Sequence, residues 1–134
     1  MAGHLTPVKA LSLAVVGVKY ANKRGPTRTF AIGLCRPGDP VQLVREPRNP
    51  VDPHAVMVLN REGMQMGYLT AERAPWIGGM LARGREVRAI FQEATEYGAV
   101  IRGAFDGDEP VLPPSRSAPS NRESDFYPDE VYPD

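Results

Sequence analysis

Short apolar segments alternate with polar turns along most of the chain. Their alternating or β-branched composition is typical of short β-strands bounded by glycine, proline and charged residues. The pattern predicts seven strands, at residues 11–18, 29–35, 41–45, 55–60, 64–69, 86–94 and 99–105.

One segment follows a helical pattern instead. Pro75 suits a first helical position and Gly84 suits a helix end. The apolar side chains between them fall on one helical face: Trp76, Ile77, Met80 and Leu81. Gly78 and Gly79 each weaken a helix by about 1 kcal/mol relative to alanine, so we expect packing of the apolar face to hold it. Strands of this number and length predict a small, mostly antiparallel barrel or a strongly bent sheet.

The character of the chain changes after Gly107. Residues 108–134 contain six of the 14 prolines together with four serines and many acidic residues. Such a segment buries too little apolar surface to offset the entropy of ordering. We expect a flexible leader at residues 1–10, a β-rich domain at 11–107 and a disordered acidic tail at 108–134, with an aromatic and acidic cluster at 126–133.

The net charge of zero conceals two oppositely charged parts. Lysine and arginine total 16, as do aspartate and glutamate. Residues 1–105 hold 14 basic and 8 acidic residues, whereas residues 106–134 hold 2 basic and 8 acidic residues. The overall balance argues against a nucleic-acid binder, but a basic body with an acidic tail keeps such a partner open.

Little in the sequence indicates secretion, a membrane or catalysis. Cys35 is the one cysteine, so no intrachain disulfide can form, and we expect it to be a buried, inert thiol. No apolar stretch approaches the roughly 20 residues of a membrane helix, which favours a cytoplasmic location. His4 and His54 lack a nucleophile or metal-ligand pattern. Glu46 and Asp52 could form an acid–base pair, but no positioned partner is evident. We expect no catalytic residues, metal or cofactor, and keep an enzyme only as a residual alternative.

The most unusual segment runs from Arg45 to Val56, with the sequence REPRNPVDPHAV. Its three prolines restrict the backbone and push the preceding residues towards extended conformations. Asn49 and Asp52 each precede a proline and can close a turn through the side chain. The segment therefore predicts a stiff loop between two strands, which could carry binding residues or only form a sharp corner.

This segment, with its flanks, resembles the HIRAN domain. The resemblance rests on Val16-Gly17 with Tyr20, on the Arg45–Val56 run extended to residues 43–58, and on Gly67-Tyr68-Leu69. It covers roughly residues 11–105. It implies a mostly β fold, namely a small OB-like antiparallel barrel of about six to seven strands with one or two short helices. It also implies binding of single-stranded DNA with a free 3′-hydroxyl, in repair or replication.

The resemblance further implies which residues bind DNA. Lys19 would meet a phosphate and Tyr20 would stack on a base, whereas Asp52 would accept a hydrogen bond from the strand end. The structural alternatives are that Tyr20 only closes an end of the barrel and that Asp52 only ties its own loop. Tyr68 follows the glycine that the family also has. The complete set of candidate nucleic-acid-binding residues is Lys19, Tyr20, Arg45, Asp52, His54 and Tyr68.

The chain departs from the family pattern at three positions. Ala21 and Val51 stand where the DNA-binding relative has aromatic residues, and Ala71 stands where a lysine is expected. The aromatic platform is therefore smaller, and one phosphate contact is lost. The first loop contains further cations that could compensate or could simply be solvated, namely Lys23, Arg24 and Arg28.

Two function classes remain after these observations. The first is a non-catalytic DNA-binding module, whose basic site the acidic tail could cover. The second is a protein-interaction adaptor that uses the same pocket or the aromatic tail.

Overall fold

A computed structural model of the chain describes residues 10–114. Its elements follow the order β1 (Ala10–Val16), α1 (Arg28–Gly33), β2 (Pro40–Arg45), β3 (Val56–Leu59), β4 (Gln65–Leu69), α2 (Ala74–Ala82), β5 (Val87–Thr95) and β6 (Gly98–Phe105). This architecture confirms the predicted mostly β fold with a small antiparallel barrel and short helices. Residues 1–9 and 115–134, which include most of the predicted leader and tail, lie outside the described residues.

The strands close into a barrel in the order β1-β4-β3-β2-β5-β6. All neighbouring strands are antiparallel. The β2–β3 loop and the α2 connection therefore lie at one end of the barrel, which we call the α2 end. The segment containing α1 and the β3–β4 and β5–β6 hairpins lie at the other, the α1 end. This arrangement decides which loops can form a common surface.

Alternating inward residues of the strands fill the barrel with apolar side chains. The largest fully buried ones are Leu13, Val15, Val56, Val58, Met66, Ile77 and Ile101. Gly67 lets β4 approach β1 closely, because a Cβ there would collide with the carbonyl oxygen of Val16 and the residue has φ +150°. The barrel thus closes tightly beside Tyr68, which follows this glycine.

The strand predicted at residues 29–35 is wrong, because this segment forms helix α1 and the turn after it. Thr27 caps the helix, since its side-chain oxygen accepts a hydrogen bond from the Phe30 N–H at 3.0 Å. Ala31 and Ile32 are buried in the core. Asn60 is 1% exposed and donates from Nδ2 to the Ala31 carbonyl at 3.0 Å. These tertiary contacts outweigh the β-branched and aromatic composition that suggested a strand.

Helix α2 confirms the helix predicted after Pro75, and it covers the α2 end. Ile77 and Met80 are buried in the core cluster. Trp76 remains partly exposed and packs on Phe105, with ring centroids 5.5 Å apart. No helix within residues 10–114 is both long and apolar enough to cross a membrane.

Candidate nucleic-acid interface

Four paired side chains, one from each of the adjacent strands β1, β4, β3 and β2, form a row on the outer face of the barrel. Tyr68 of β4 pairs with Val16 of β1 and with Met57 of β3, and Met57 pairs in turn with Val44 of β2. Directly paired residues point to the same face of a sheet. None of the four is fully buried, and Val16 and Val44 are exposed. The face is therefore apolar, partly open and centred on Tyr68.

The turn after β1 brings a second aromatic residue to this face. The Tyr20 N–H donates to the Gly17 carbonyl at 3.1 Å, which closes the turn. Gly17 has φ +79°, and a Cβ there would lie 3.9 Å from Cδ2 of both Tyr20 and Tyr68. Tyr20 is 72% exposed, so a broad aromatic surface beside Tyr68 is accessible. The structure thus brings together two of the predicted site residues.

Arg28 stabilises the positions of the turn after β1 and of Tyr68 through hydrogen bonds and a cation–π contact. Its Nη1 donates to the Gly17 carbonyl at 2.7 Å and its Nε to Asn22 Oδ1 at 2.7 Å. Its guanidinium carbon lies 5.3 Å from the Tyr68 ring centroid, which is a cation–π distance. Arg28 is only 7% exposed. The alternative of a solvated loop residue is therefore wrong for Arg28, which is buried in the support of the site. Lys23 and Arg24 are exposed.

The proline-rich loop, residues 46–54, is tied to the same face through Tyr68. The Tyr68 hydroxyl donates to Glu46 Oε1 at 2.6 Å, and Asn49 Nδ2 donates to the same oxygen at 2.9 Å. Burial, and then the hydrogen bond to Glu46, raise the pKa of Tyr68 above its usual value. The hydroxyl therefore stays protonated at neutral pH and keeps donating. Glu46 thus anchors the loop through Tyr68 and Asn49.

Side-chain turns then shape the rest of the loop. Asn49 Oδ1 accepts hydrogen bonds from the N–H groups of Val51 and Asp52, at 2.9 and 3.0 Å. Asp52 Oδ1 accepts from the His54 N–H at 2.8 Å. Asp52 is half-buried, and its second carboxylate oxygen has no hydrogen-bond partner within residues 10–114. That oxygen can therefore accept a hydrogen bond from a ligand.

The β5–β6 hairpin adds an aromatic residue that sequence reasoning missed. Tyr97 is 78% exposed at the hairpin tip. Gly98, the next residue, packs against the end of β1, since a Cβ there would collide with the Val15 carbonyl oxygen and lie 3.8 Å from Val18. Tyr97 therefore lies at the same α1 end of the barrel as Tyr20. The sequence showed it only as a turn residue, and the pairing of β6 with β1 gives it this position.

The remaining predicted residues lie around this surface. Lys19 is exposed next to Tyr20, and His54 is exposed at the end of the loop. Arg45 is exposed where β2 enters the loop, on the α2 end. The positions that depart from the family pattern, Ala21, Val51 and Ala71, are all exposed. Aromatic or basic side chains at those positions would be exposed to solvent. Without them, less aromatic and basic surface is available to a nucleic acid.

The described residues contain no group of three or more histidine, cysteine or acidic side chains that could hold a metal ion. Cys35 is half-buried after α1, where its Sγ lies 3.4 Å from the Ala31 carbonyl oxygen. Burial and the nearby Asp39 carboxylate raise its pKa to about 11. This thiol is a poor nucleophile at neutral pH.

The chain resembles known proteins in both sequence and fold. A model of the HIRAN domain family matches residues 8–99. No curated protein sequence matches the chain. Among solved structures, the HIRAN domain of human HLTF superposes with a TM-score of 0.61 at 24% identity, covering 75% of this chain and 78% of that one.

Two further solved structures share the fold. A protein from Lactobacillus plantarum matches with a TM-score of 0.60 at 18% identity, covering 74% of this chain and 93% of that one. The HLTF HIRAN domain in its DNA-bound conformation matches with a TM-score of 0.50 at 24% identity, covering 75% and 77% of the two chains. At these sequence identities, the structural similarity supports a shared fold and nothing more.

Proposed function

The chain belongs to the HIRAN domain family, and from this membership we propose that it is a non-catalytic module that binds DNA, with a preference for single strands and free 3′ ends. A family relative, the HIRAN domain of HLTF, has a DNA-bound conformation. Repair or replication of DNA is the setting in which such ends occur. The local chemistry of the candidate surface supports the same proposal.

The observation that carries the proposal is the meeting of Tyr20 and Tyr68 at Gly17 on an open barrel face. Aromatic faces stack on unpaired bases without regard to sequence, and each stacked base contributes about 1–3 kcal/mol. The bases of a duplex are already stacked on one another, so such a surface favours single strands. Tyr97, at the same end of the barrel, offers a third aromatic face and offsets the aromatic residues missing at Ala21 and Val51.

Charge around the aromatic surface fits a phosphate backbone. Lys19, Lys23 and Arg24 are exposed on the segment between β1 and α1, and none forms an ion pair within residues 10–114. A cation without a protein partner is free to replace the counterions of a phosphate. Arg45 and His54 would meet the strand near the loop. These cations predict salt-sensitive binding.

Asp52 supports the preference for a free 3′ end. A carboxylate repels a phosphate but accepts a hydrogen bond from a terminal hydroxyl. One oxygen of Asp52 holds the loop through His54, and the other has no partner within the described part of the chain. The loop therefore presents an acceptor in a fixed position beside the aromatic surface.

The acidic tail enters the proposal as a competitor for the same surface. Its residues 115–134 lie outside the described structure, but their acidic and aromatic composition imitates features of a nucleic acid strand. The tail would lower the DNA affinity of the intact chain. An adaptor that binds a protein through the tail or the same face is the alternative.

Titration of fluorescent oligonucleotides with the full chain at low salt, followed by anisotropy, tests the proposal. Saturable binding to a single strand, weaker for the duplex and weaker for a 3′-phosphate, supports it. The absence of binding to any DNA at low salt overturns it and favours the adaptor.

A further inference from the structure

Arginine side chains on the described surface fall into two groups. Arg61, Arg85 and Arg88 form ion pairs with acidic neighbours. A second, exposed group forms no ion pair within residues 10–114: Arg24, Arg36, Arg45, Arg48, Arg73 and Arg83. Paired arginines are already neutralised locally, so only the second group remains available to an anionic ligand.

Two of these unpaired arginines, Arg45 and Arg83, lie against adjacent glycines of α2. A Cβ on Gly78 would lie 4.0 Å from Cγ of Arg45, and a Cβ on Gly79 would lie 3.3 Å from Nη1 of Arg83. Glycine lowers the stability of a helix relative to alanine. Because these two glycines have no side chain, Arg45 and Arg83 can lie close to the helix backbone. The result is a small basic surface formed by Arg45, Arg83, Gly78 and Gly79, which we call the α2 arginine surface.

The proline-rich loop connects this surface with the aromatic face. The same Cβ on Gly78 would lie 3.9 Å from the His54 carbonyl oxygen, so the end of the loop packs on α2. At the start of the loop, Glu46 follows Arg45 directly and accepts the hydrogen bond from Tyr68. A strand stacked at Tyr68 and passing Asp52 therefore continues towards α2.

We propose that the α2 arginine surface binds phosphates of the nucleic acid beyond the stacked nucleotides, and so extends the site to longer single strands. This inference rests on the proposed function. Barrels of this type cover about 4–16 nucleotides, so a path from the aromatic face across the loop to α2 lies within that range. Guanidinium groups match phosphate oxygens in geometry as well as in charge.

Arg83→Gln in the full chain tests the proposal against strands of two lengths. A short strand of about 4 nucleotides contacts only the aromatic face and the proline-rich loop, whereas a strand of about 12 nucleotides also reaches α2. We expect Arg83→Gln to bind the short strand like wild type and the long strand roughly 3- to 10-fold more weakly. The slope of log affinity against log salt for the long strand should fall by about 0.7, which corresponds to one phosphate contact. Arg83→Lys should restore most of the affinity.

Arg88→Gln is the charge-matched control. It removes the same formal charge, but from a guanidinium that already pairs with Glu86 and Glu109. We expect it to bind both strands like wild type, and thermal melting verifies that each variant is folded. Equal weakening by Arg83→Gln and Arg88→Gln, or wild-type affinity of Arg83→Gln for the long strand, overturns the inference while leaving the proposed function intact. A wild-type chain that binds neither strand overturns both.

Discussion

The guanidinium of Arg28 lies against the ring of Tyr68, with 5.3 Å between the guanidinium carbon and the ring centroid. The same side chain donates to the Gly17 carbonyl, which closes the turn that presents Tyr20. One buried cation thus sets the position of two aromatic residues, one on strand β4 and one in the turn after β1. The aromatic surface is therefore preorganised by the fold before any ligand binds.

Replacement of Arg28 should destabilise the protein. Arg28→Gln loses two charge-assisted hydrogen bonds, to the Gly17 carbonyl and to Asn22 Oδ1. The Gly17 carbonyl keeps the Tyr20 N–H as a donor, whereas Asn22 Oδ1 loses its donor. We therefore expect unfolding to become easier by about 2–3 kcal/mol. Urea denaturation measures this change. Arg24→Gln, at an exposed position in the same loop, is the control and should stay within about 0.5 kcal/mol of wild type. Equal stabilities of the two variants would show that Arg28 does not support the site.

Removal of the exposed aromatic face should affect binding but not folding. Tyr20 is 72% exposed, so Tyr20→Ala should unfold at nearly the wild-type temperature. We expect it to weaken binding of a single strand by roughly 5- to 150-fold, which is the effect of one lost stacked base. Tyr20→Phe keeps the ring and should retain the affinity. An unchanged affinity of Tyr20→Ala, measured by anisotropy, would remove Tyr20 from the site.

The charge of Asp52 should determine the preference for the strand end. Asp52→Asn keeps an oxygen that can accept from the His54 N–H, so the loop should retain its shape. It removes the repulsion of a terminal phosphate, and we expect the affinity ratio of 3′-hydroxyl to 3′-phosphate strands to fall towards one. Competition between the two strands measures this ratio. A wild-type ratio near one, or a ratio that the variant leaves unchanged, would argue against an end-sensing role.

The acidic tail should compete with DNA through charge. Replacing Asp125, Asp129, Glu130 and Asp134 by their amides should raise the affinity for a single strand roughly 3- to 10-fold at low salt. The gain should disappear at about 1 M salt, where the screening length is about 3 Å. If the affinity is the same for both chains at low salt, the tail does not cover the site.

The thiol of Cys35 should react slowly while the protein is folded. A pKa of about 11 leaves roughly one thiolate in a thousand near pH 8, against roughly a quarter for an ordinary cysteine. We expect alkylation to be at least about 100-fold slower than in the urea-unfolded chain, as followed by mass spectrometry. Similar rates in the two states would contradict the protected environment of this thiol.

Much of the barrel could be predicted because local patterns and tertiary contacts agree there. The turn at residues 61–63 ends in Gly63, which has φ +84°, and strands β3 and β4 follow on each side as expected. Helix α1 could not be predicted, because it has only six residues and its tertiary contacts include a hydrogen bond from Asn60, which is distant in sequence. A short apolar segment does not distinguish a strand from a buried helix.

The candidate site was predictable only in part. Gly17, Tyr20, Asp52 and Tyr68 belong to recognisable sequence patterns, whereas nothing in the sequence distinguishes the buried Arg28 from an exposed loop cation. Strand pairing between β6 and β1 brings Tyr97 to the same end of the barrel as Tyr20. The roles of all six predicted binding residues stay predictions until DNA binding is measured.

The most direct test of the account is a titration of the isotopically labelled full chain with an unlabelled single strand, followed through backbone amide NMR signals. We expect dose-dependent shifts at the Gly17–Tyr20 turn, at the loop around Asp52, and near Tyr68 and Tyr97, with small changes at the hairpin around Gly63. No shifts at the aromatic face, or shifts confined to the Gly63 hairpin, would contradict the claim that this face binds DNA.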